Sequence, residues 1–177
     1  DQTSGIFEMR PFFWKNKKKI PVYGSKRTIK ALLSKYTFCF SPRHGYTPIM
    51  KKHIIKDKFS IRKKDNKLNF IAFNVTHGMI NATGYLFKKV AYISDCNKIP
   101  QKSLKNLYNL EYLVLDCLKI KKHPSHLNYD EARKLIEIVK PKKTILTNLH
   151  TDFDYYSLKK KLPSNIMPAY DGLTFNF

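Results

Sequence analysis

The stretch Val90-Ala-Tyr-Ile-Ser-Asp95-Cys96 decides the fold, because an apolar run of β-forming residues leads directly into an acidic residue. The segment Asn97-Lys-Ile-Pro100 then turns the chain away. A short buried strand that delivers a carboxylate at its carboxyl end is a common way to build a site in a layered α/β protein. We therefore predict a functional site at the end of this strand, with Asp95 at its centre.

Two further β-rich runs end in residues that bind metals. Asn74-Val-Thr-His77 finishes upstream in a histidine, and Thr144-Ile-Leu-Thr147 is followed downstream by His150. Imidazole nitrogen and carboxylate oxygen are suitable ligands for zinc, manganese or iron. Taken singly, each residue has a structural explanation, as a hydrogen-bonded histidine or a turn-forming aspartate. Taken together, the three strand ends predict one metal site at one edge of a sheet.

The rest of the chain predicts a β-rich first half followed by alternating strands and helices, in one domain over residues 1–177. Strands are expected at 20–23, 49–55, 59–62, 68–75, 113–117 and 143–147. Two further strands should meet near Lys88-Lys89, and two short strands should lie around Asp171-Gly172. A hairpin turn is expected at 64–67. Helices are expected from Ser25 to about Tyr36, at 103–108, from the Asn128 N-cap with Glu131 at capping-box spacing to Val139, and at 154–161.

The formal net charge of +21 is compatible with nucleic-acid binding. Lysine supplies nearly all of the positive charge, whereas phosphate clamps favour the bidentate fork of arginine. Arginine occurs at Arg10, Arg27, Arg43, Arg62 and Arg133. Lysine, asparagine, isoleucine, tyrosine and phenylalanine are abundant together, which is typical of AT-rich coding. Non-specific nucleic-acid binding and codon bias therefore both stay open as explanations of the charge. The sequence also leaves open whether the chain forms a homodimer.

The cysteines Cys39, Cys96 and Cys117 are far apart and form no CxxC pattern. We expect neither a disulfide framework nor a zinc site. Two of the three end hydrophobic runs and are predicted to be reduced, buried thiols, which fits a reducing cytoplasm. No apolar run approaches the ~20 residues that span a bilayer, so no membrane association is expected. The polar start at Asp1-Gln2, without an initiating methionine, predicts a fragment of a longer chain.

An ordered set of segments resembles the metallo-β-lactamase fold, in the branch of the phosphonate-pathway cyclic-phosphate phosphodiesterases and the tRNA 3′-processing nucleases. The segments are Asn74-Val-Thr-His77-Gly, Tyr92-Ile-Ser-Asp95-Cys, Leu113-Val-Leu-Asp116-Cys, His123-Pro-Ser-His126 and Thr147-Asn-Leu-His150-Thr-Asp152. The resemblance implies an α/β (α+β) fold, a four-layer αββα sandwich. It also implies two divalent metal ions, Zn²⁺ or Mn²⁺, whose bridging hydroxide attacks a small phosphodiester or an RNA end.

The resemblance assigns roles to residues one by one. His77 resembles a ligand of the first metal, and Asp95 resembles the carboxylate that bridges both metals. His150 resembles the late histidine ligand, although relatives often place it two residues earlier, where Asn148 stands as a weaker candidate. His126 resembles the catalytic histidine on the substrate side, which contacts phosphate or protonates the leaving oxygen.

Asp1 resembles the aspartate of the family's His-x-His-x-Asp-His motif, with Gln2 in place of its last histidine. The first two histidines of that motif and the N-terminal strands of the fold would precede residue 1. We therefore expect a C-terminal fragment of a metal-dependent phosphodiesterase with weak or no activity of its own. The alternatives are a basic nucleic-acid-binding module and a non-functional remnant on the same fold.

Overall fold

The computed structural model describes residues 3–42, 45–63 and 65–177. The chain divides into two compact units, residues 1–56 and 57–177. Asp1 and Gln2, which the family motif predicts as metal-site residues, lie outside the described residues. Among the residues that the structure does describe, no helix is long and apolar enough to cross a membrane.

The first unit combines short helices with a two-stranded parallel sheet. Its elements are a 3₁₀ helix at Ser4–Met9, α1 (Arg10–Asn16), β1 (Ile20–Gly24), α2 (Lys26–Lys35), α3 (Thr37–Phe40) and β2 (Met50–Ile54). The predicted cap of α2 is confirmed, because the Ser25 hydroxyl accepts a hydrogen bond from the Thr28 N–H at 3.1 Å. Ile29 and Leu32 bury the apolar face of this helix.

The second unit is built on a seven-stranded sheet whose strands follow one another in chain order. The strands are β3 (Lys58–Lys63), β4 (Asn66–His77), β5 (Ile80–Phe87), β6 (Val90–Ile93), β7 (Tyr112–Asp116), β8 (Lys143–Thr147) and β9 (Ile166–Pro168). The helices are α4 (Gln101–Leu104) with a 3₁₀ turn at Lys105–Leu107, α5 (Tyr129–Val139) and α6 (Tyr155–Lys161). The predicted mixed α/β class is confirmed.

The directions of the strands bring several carboxyl ends to one edge of the sheet. β3 to β6 pair antiparallel, whereas β6, β7, β8 and β9 pair parallel. Since β4 and β6 are both antiparallel to β5, β4 runs in the same direction as β6, β7 and β8. The residues that end or follow these four strands therefore share an edge, where sites in open α/β sheets are usually built.

The core holds this edge in place. Leu113 and Leu115 of β7 are fully buried, and they pair in register with Ala91 and Ile93 of β6. They belong to a buried cluster that includes residues of α5, such as Ile136. Parallel strands that are covered by helices appear in a sequence as continuous apolar runs. This is why these strands could be predicted so clearly from the sequence.

Local chain signals are confirmed at several places. β5 and β6 meet at Lys88, which has a left-handed φ of 52°. α5 begins with a complete capping box: the Asn128 side chain accepts from the Glu131 N–H at 2.8 Å, and the Glu131 carboxylate accepts from the Asn128 N–H at 3.1 Å. The helix ends at Val139, as predicted.

Three predictions of local structure are wrong in detail. The hairpin turn is tighter than 64–67, because Asn66 and Lys67 already pair with β3; Lys64 lies outside the described residues. The helix predicted at 103–108 begins at Gln101, directly after Pro100, and tightens into a 3₁₀ turn. The chain forms one late strand, β9, before Asp171, and no strand is found among the described residues after it.

Removal of the cap of α5 tests the local basis of the fold. Asn128→Ala deletes one half of the capping box of a helix that contributes Ala132, Ile136 and Val139 to the core. We expect a loss of about 1 kcal/mol in the free energy of unfolding, within a range of roughly 0.5–2 kcal/mol. Urea denaturation followed by circular dichroism measures it. Lys134→Ala, an exposed position on the same helix, is the matched control and should change stability little.

Candidate metal centre

Three side chains suited to metal binding converge at the carboxyl edge of the seven-stranded sheet. His77 ends β4, Asp95 lies two residues after β6, and His126 lies in the loop between β7 and α5. Each offers one ligand atom, and the three atoms lie within 4.8 Å of one another. All three residues are half-buried, so they face a site that solvent reaches. The structure thus brings together two of the predicted metal ligands and the predicted catalytic histidine.

The ring of His77 is held by the loop before α5. Its Nδ1 lies 2.8 Å from the carbonyl oxygen of Ser125. A carbonyl oxygen only accepts, so Nδ1 carries the proton and donates, which leaves the lone pair on Nε2 for a ligand. Metal-binding histidines are commonly oriented by such a bond to a backbone carbonyl.

The ring of His126 is held by a buried carboxylate. Its Nδ1 lies 2.8 Å from Oδ2 of Asp116, the last residue of β7, whose side chain is fully buried. The donor must be the imidazole N–H if the carboxyl is ionised, so Nε2 again keeps its lone pair. The two histidine rings meet edge to face with their centroids 4.6 Å apart. Carboxylate, histidine and metal in series is a recurring arrangement in metal sites.

Asp116 collects hydrogen bonds from three separate loops. Its carboxylate accepts from the Cys96 N–H at 3.0 Å, from His126 at 2.8 Å and from the Asn148 side-chain amide at 3.1 Å. Burial raises the pKa of the Asp116 carboxyl, and these hydrogen bonds together with the nearby His126 oppose that rise. The residue therefore ties the ends of β6, β7 and β8 into one structure.

Asp95 is fixed by its own neighbour. Its Oδ2 accepts a hydrogen bond from the Ser94 hydroxyl at 2.6 Å. The next residue, Cys96, connects this loop to the loop of His126, because the Cys96 carbonyl accepts from the Leu127 N–H at 2.7 Å. The loops that carry the carboxylate and the histidine are consequently joined by this backbone hydrogen bond.

The cysteines take no part as thiolates. Cys39, Cys96 and Cys117 are free and buried, which agrees with the prediction that the chain has no disulfide framework. Burial raises the pKa of the Cys96 thiol, and the charges of Asp116 and Asp95 raise it further. Burial also raises the pKa of Cys117 to about 12. Thiols that stay protonated at neutral pH are poor metal ligands.

His150, predicted as the late histidine ligand, does not belong to the group of three. Its side chain is 40% exposed, and its Nδ1 lies 2.8 Å from a carboxylate oxygen of Asp152. Asn148, the weaker candidate, does reach the site. It adopts a left-handed φ of 61°, a conformation that asparagine tolerates, and its amide donates to Asp116. At this position the chain thus supplies a hydrogen-bond donor that supports His126 indirectly.

Sequence reasoning missed the role of Asp116. The signal was present, because an acidic residue that ends a strand buried on both faces needs several donors to be stable there. His123 also lies close, with its ring centroid 5.1 Å from that of His126. Desolvation is the first cause that lowers the pKa of His123, and electrostatic interactions with His126 and Lys119 lower it further.

The donor set fits a divalent cation. Two imidazoles and one carboxylate are the protein ligands of several catalytic zinc sites, in which a fourth position stays open. The oxygen partners of Nδ1 favour the tautomer that leaves Nε2 of each histidine free for a metal, and the carboxylate supplies negative charge that partly neutralises the ion. We therefore treat His77, Asp95 and His126 as the candidate metal ligands, which gives His126 the role of a ligand in place of the substrate-side role that the resemblance implies for it.

The family of the chain follows from a match over most of its sequence. The profile of the beta-lactamase superfamily domain matches residues 1–148. The chain therefore belongs to the beta-lactamase superfamily, and it has the metallo-β-lactamase fold that the sequence motifs predicted.

Solved structures agree with this assignment. A diphosphatase from the PhnP family is 28% identical to this chain and superposes with a TM-score of 0.84. The match covers 98% of this chain and 66% of the diphosphatase. The Zn²⁺-bound PqqB from Methylobacterium extorquens is 12% identical with a TM-score of 0.69, over 90% of this chain and 65% of its own. The short form of human tRNase Z is 13% identical with a TM-score of 0.56, and the match covers 88% of this chain and 67% of the tRNase Z chain.

A curated relative from Porphyromonas gingivalis strain ATCC BAA-308 / W83 carries the name octanoyltransferase. It is 24% identical over 177 residues, which are 98% of this chain and 35% of the relative. The chain thus spans about a third of the curated relative that it matches, and about two thirds of the diphosphatase.

Zinc binding discriminates between the three-residue group and the alternative ligand His150. We expect His77→Ala to weaken Zn²⁺ binding strongly, because it removes one of the three convergent ligand atoms. His150→Ala should leave the affinity close to that of the unaltered chain, because its ring pairs with Asp152 outside the group. Isothermal titration with ZnCl₂ measures both.

The pair of variants is internally matched, since each removes one imidazole from the same unit. Circular dichroism shows whether each variant is folded. Equal losses of affinity in the two variants, or a loss in His150→Ala alone, would contradict the assignment of the ligands.

Proposed function

We propose that the chain carries the metal-binding part of a phosphodiesterase that depends on a divalent cation. The observation that carries the proposal is the convergence of His77, Asp95 and His126 at the carboxyl edge of the sheet, with each histidine oriented by an oxygen acceptor. The similarity to a PhnP-family diphosphatase supports phosphorus chemistry as the reaction class.

A bound divalent cation supplies Lewis-acid stabilisation of phosphoryl oxygens and makes water more acidic. In this proposal His77, Asp95 and His126 hold that cation. Asp116 positions His126 through its hydrogen bond to Nδ1 and keeps the other ring nitrogen directed at the site.

A clamp between two loops keeps this geometry rigid. The Asn97 side chain accepts from the Gly78 N–H at 3.1 Å and donates to the Pro124 carbonyl at 2.8 Å. Gly78 has a φ of 61°, and a Cβ there would lie 3.1 Å from the Cβ of Ser125. Because Ser125 also accepts from His77, the tight turn at Gly78 lets the two loops approach closely.

The surroundings favour an anionic substrate. The loop that carries His126 also contains Lys119, Lys121 and Lys122, and Lys119 is close enough to lower the pKa of His123. Lysines around an open site attract a phosphodiester and raise its local concentration. A small phosphodiester and an RNA end both fit this field.

The expected activity is weak. The family site holds two ions, whereas the described residues supply one group of three ligands. We also place the chain in a reducing compartment, the cytoplasm, since its three thiols are free and buried.

Hydrolysis of bis-p-nitrophenyl phosphate tests the proposal. We expect slow release of p-nitrophenol in Mn²⁺ or Zn²⁺, and a fall to the metal-free rate when a chelator is added. Asp95→Asn should fall to the same rate, because it removes the ligand charge. Absorbance at constant pH measures the reaction.

Asp130→Asn, an exposed aspartate on the first turn of α5, is the matched control and should keep full activity. Hydrolysis that persists in chelator, or that Asp95→Asn retains, would refute a metal-dependent phosphodiesterase. So would a metal-loaded, folded chain that releases no p-nitrophenol.

A further inference from the structure

The strand β3 forms one outer edge of the seven-stranded sheet in the second unit. It has six residues, Lys58–Lys63, and pairs with β4 on one side. Among the residues that the structure describes, no segment pairs with its other side, which we call the free edge of β3. An unpaired edge of this kind is a template for a further strand.

The backbone groups that face the free edge follow from the register. In an antiparallel pair, successive residues alternate between bonding the neighbouring strand and pointing away from it. The Ala72 N–H donates to the Asp57 carbonyl at 2.8 Å, so the backbone of Asp57 faces β4. By alternation, Phe59 and Ile61 face β4 as well. The N–H and C=O groups that point outward therefore belong to Lys58, Ser60 and Arg62.

The side chains of β3 give the free edge one apolar face and one polar face, because they alternate between the two sides of the sheet. Phe59 and Ile61 are half-buried on one face, where the Phe59 ring stacks on that of Phe70 with centroids 5.2 Å apart. The opposite face carries three exposed side chains, Lys58, Ser60 and Arg62. A segment that adds to this edge should therefore alternate apolar with polar residues.

The polar face carries positive charge that lacks a carboxylate partner within the described part of the chain. Arg62 lies directly opposite Lys67 of β4, and both are exposed. Like charges directly opposite each other destabilise a pair of strands. None of the ion pairs found between described residues involves Lys58, Arg62 or Lys67. Carboxylates brought to this face would relieve the repulsion between Arg62 and Lys67.

The same face has room for acidic side chains. A cavity of about 430 Å³ includes in its lining Lys58, Ser60 and Asn69, which the register places on the polar face, and also Lys88. The Ser60 hydroxyl donates to the side-chain oxygen of Asn69 at 2.7 Å. A carboxylate that entered this cavity would lie near two lysines.

A second copy of the chain is a poor occupant of the free edge. If two copies of β3 paired antiparallel about a two-fold axis at Ser60, Lys58 of each copy would lie opposite Arg62 of the other. Such like-charged pairs oppose self-association, and lysines on edge strands commonly serve this purpose. The charge that disfavours a second copy favours an acidic partner.

We propose that the free edge of β3 binds an extended acidic segment of a partner protein, which joins the sheet as an additional strand. Backbone hydrogen bonds to Lys58, Ser60 and Arg62 would supply affinity, and the two faces would supply specificity. Apolar side chains of the segment would lie beside Phe59 and Ile61, and carboxylates would lie beside Lys58 and Arg62. The proposal does not depend on the phosphodiesterase function.

The test uses two peptides of equal composition and charge. The probe is a fluorescein-labelled peptide of three Val-Glu repeats, which matches the six residues of β3. Its control has three valines followed by three glutamates. Fluorescence anisotropy, measured in chelator, should show that the alternating peptide binds about tenfold more tightly than the control, because its side chains match both faces of the edge.

The backbone contribution is tested at Ser60. Ser60→Pro removes an outward N–H that makes no bond to β4, and edge strands accept proline at such positions. We expect the alternating peptide to bind about tenfold more weakly, since a backbone hydrogen bond is lost. Ser60→Ala keeps the N–H, removes the hydroxyl and should bind the peptide like the unaltered chain.

The charge contribution is tested with two double variants of equal net charge. Lys58→Gln/Arg62→Gln should weaken binding of the alternating peptide about fivefold at low salt, as expected for two exposed ion pairs. Lys159→Gln/Lys160→Gln, at exposed positions of α6, should change it little. Circular dichroism shows whether each variant is folded, and the charge variants decide the matter if Ser60→Pro does not fold.

Equal binding of the two peptides would overturn the proposal, and so would full affinity in a folded Ser60→Pro. Equal weakening in the two double variants would show that net charge alone attracts the peptide, which also contradicts it. Sedimentation without peptide tests the remaining occupant. A dimer of the unaltered chain that Ser60→Pro converts to a monomer would assign the edge to a second copy and overturn the proposal.

Discussion

The buried carboxylate of Asp116 is the contact on which the candidate site depends. A fully buried acid is costly unless donors compensate it, and here the donors come from the Cys96 backbone, the His126 ring and the Asn148 amide. Each donor belongs to a different loop. The need to satisfy one carboxylate therefore fixes the positions of three chain segments, and one of those segments carries a candidate metal ligand.

The distribution of charge over the whole chain also separates a place for a cation from a surface that favours anions. The chain has 13 acidic residues against 34 lysines and arginines, so a cation cannot be attracted by the molecule as a whole. Asp95 and Asp116 concentrate negative charge at one edge of the sheet, under the half-buried histidines. Outside that edge the basic surface favours anions. A cation at that edge and an anion attracted to the basic surface would suit the phosphodiesterase that we propose.

The parts of this structure that the sequence predicts are those encoded locally. The capping box at Asn128 and Glu131 is read from residues three apart, and β7 and β8 are read from unbroken apolar runs. The strand ends at His77 and Asp95 follow from the same runs. The role of Asp116 is not local, because its partners lie 10 to 32 residues away. The choice between Asn148 and His150 depends on the path of the chain after β8, where Asn148 has a left-handed φ, and no periodicity of the sequence reveals that path.

The central claim is that Asp116 builds a metal centre by orienting His126. The most direct test is the Zn²⁺ affinity of Asp116→Asn beside that of Asp152→Asn, since both carboxylates lie 2.8 Å from a histidine Nδ1. We predict that Asp116→Asn weakens Zn²⁺ binding by about 10–100-fold, the usual effect of losing such a partner, and that Asp152→Asn leaves it unchanged. Equal affinities in two folded variants would contradict the account.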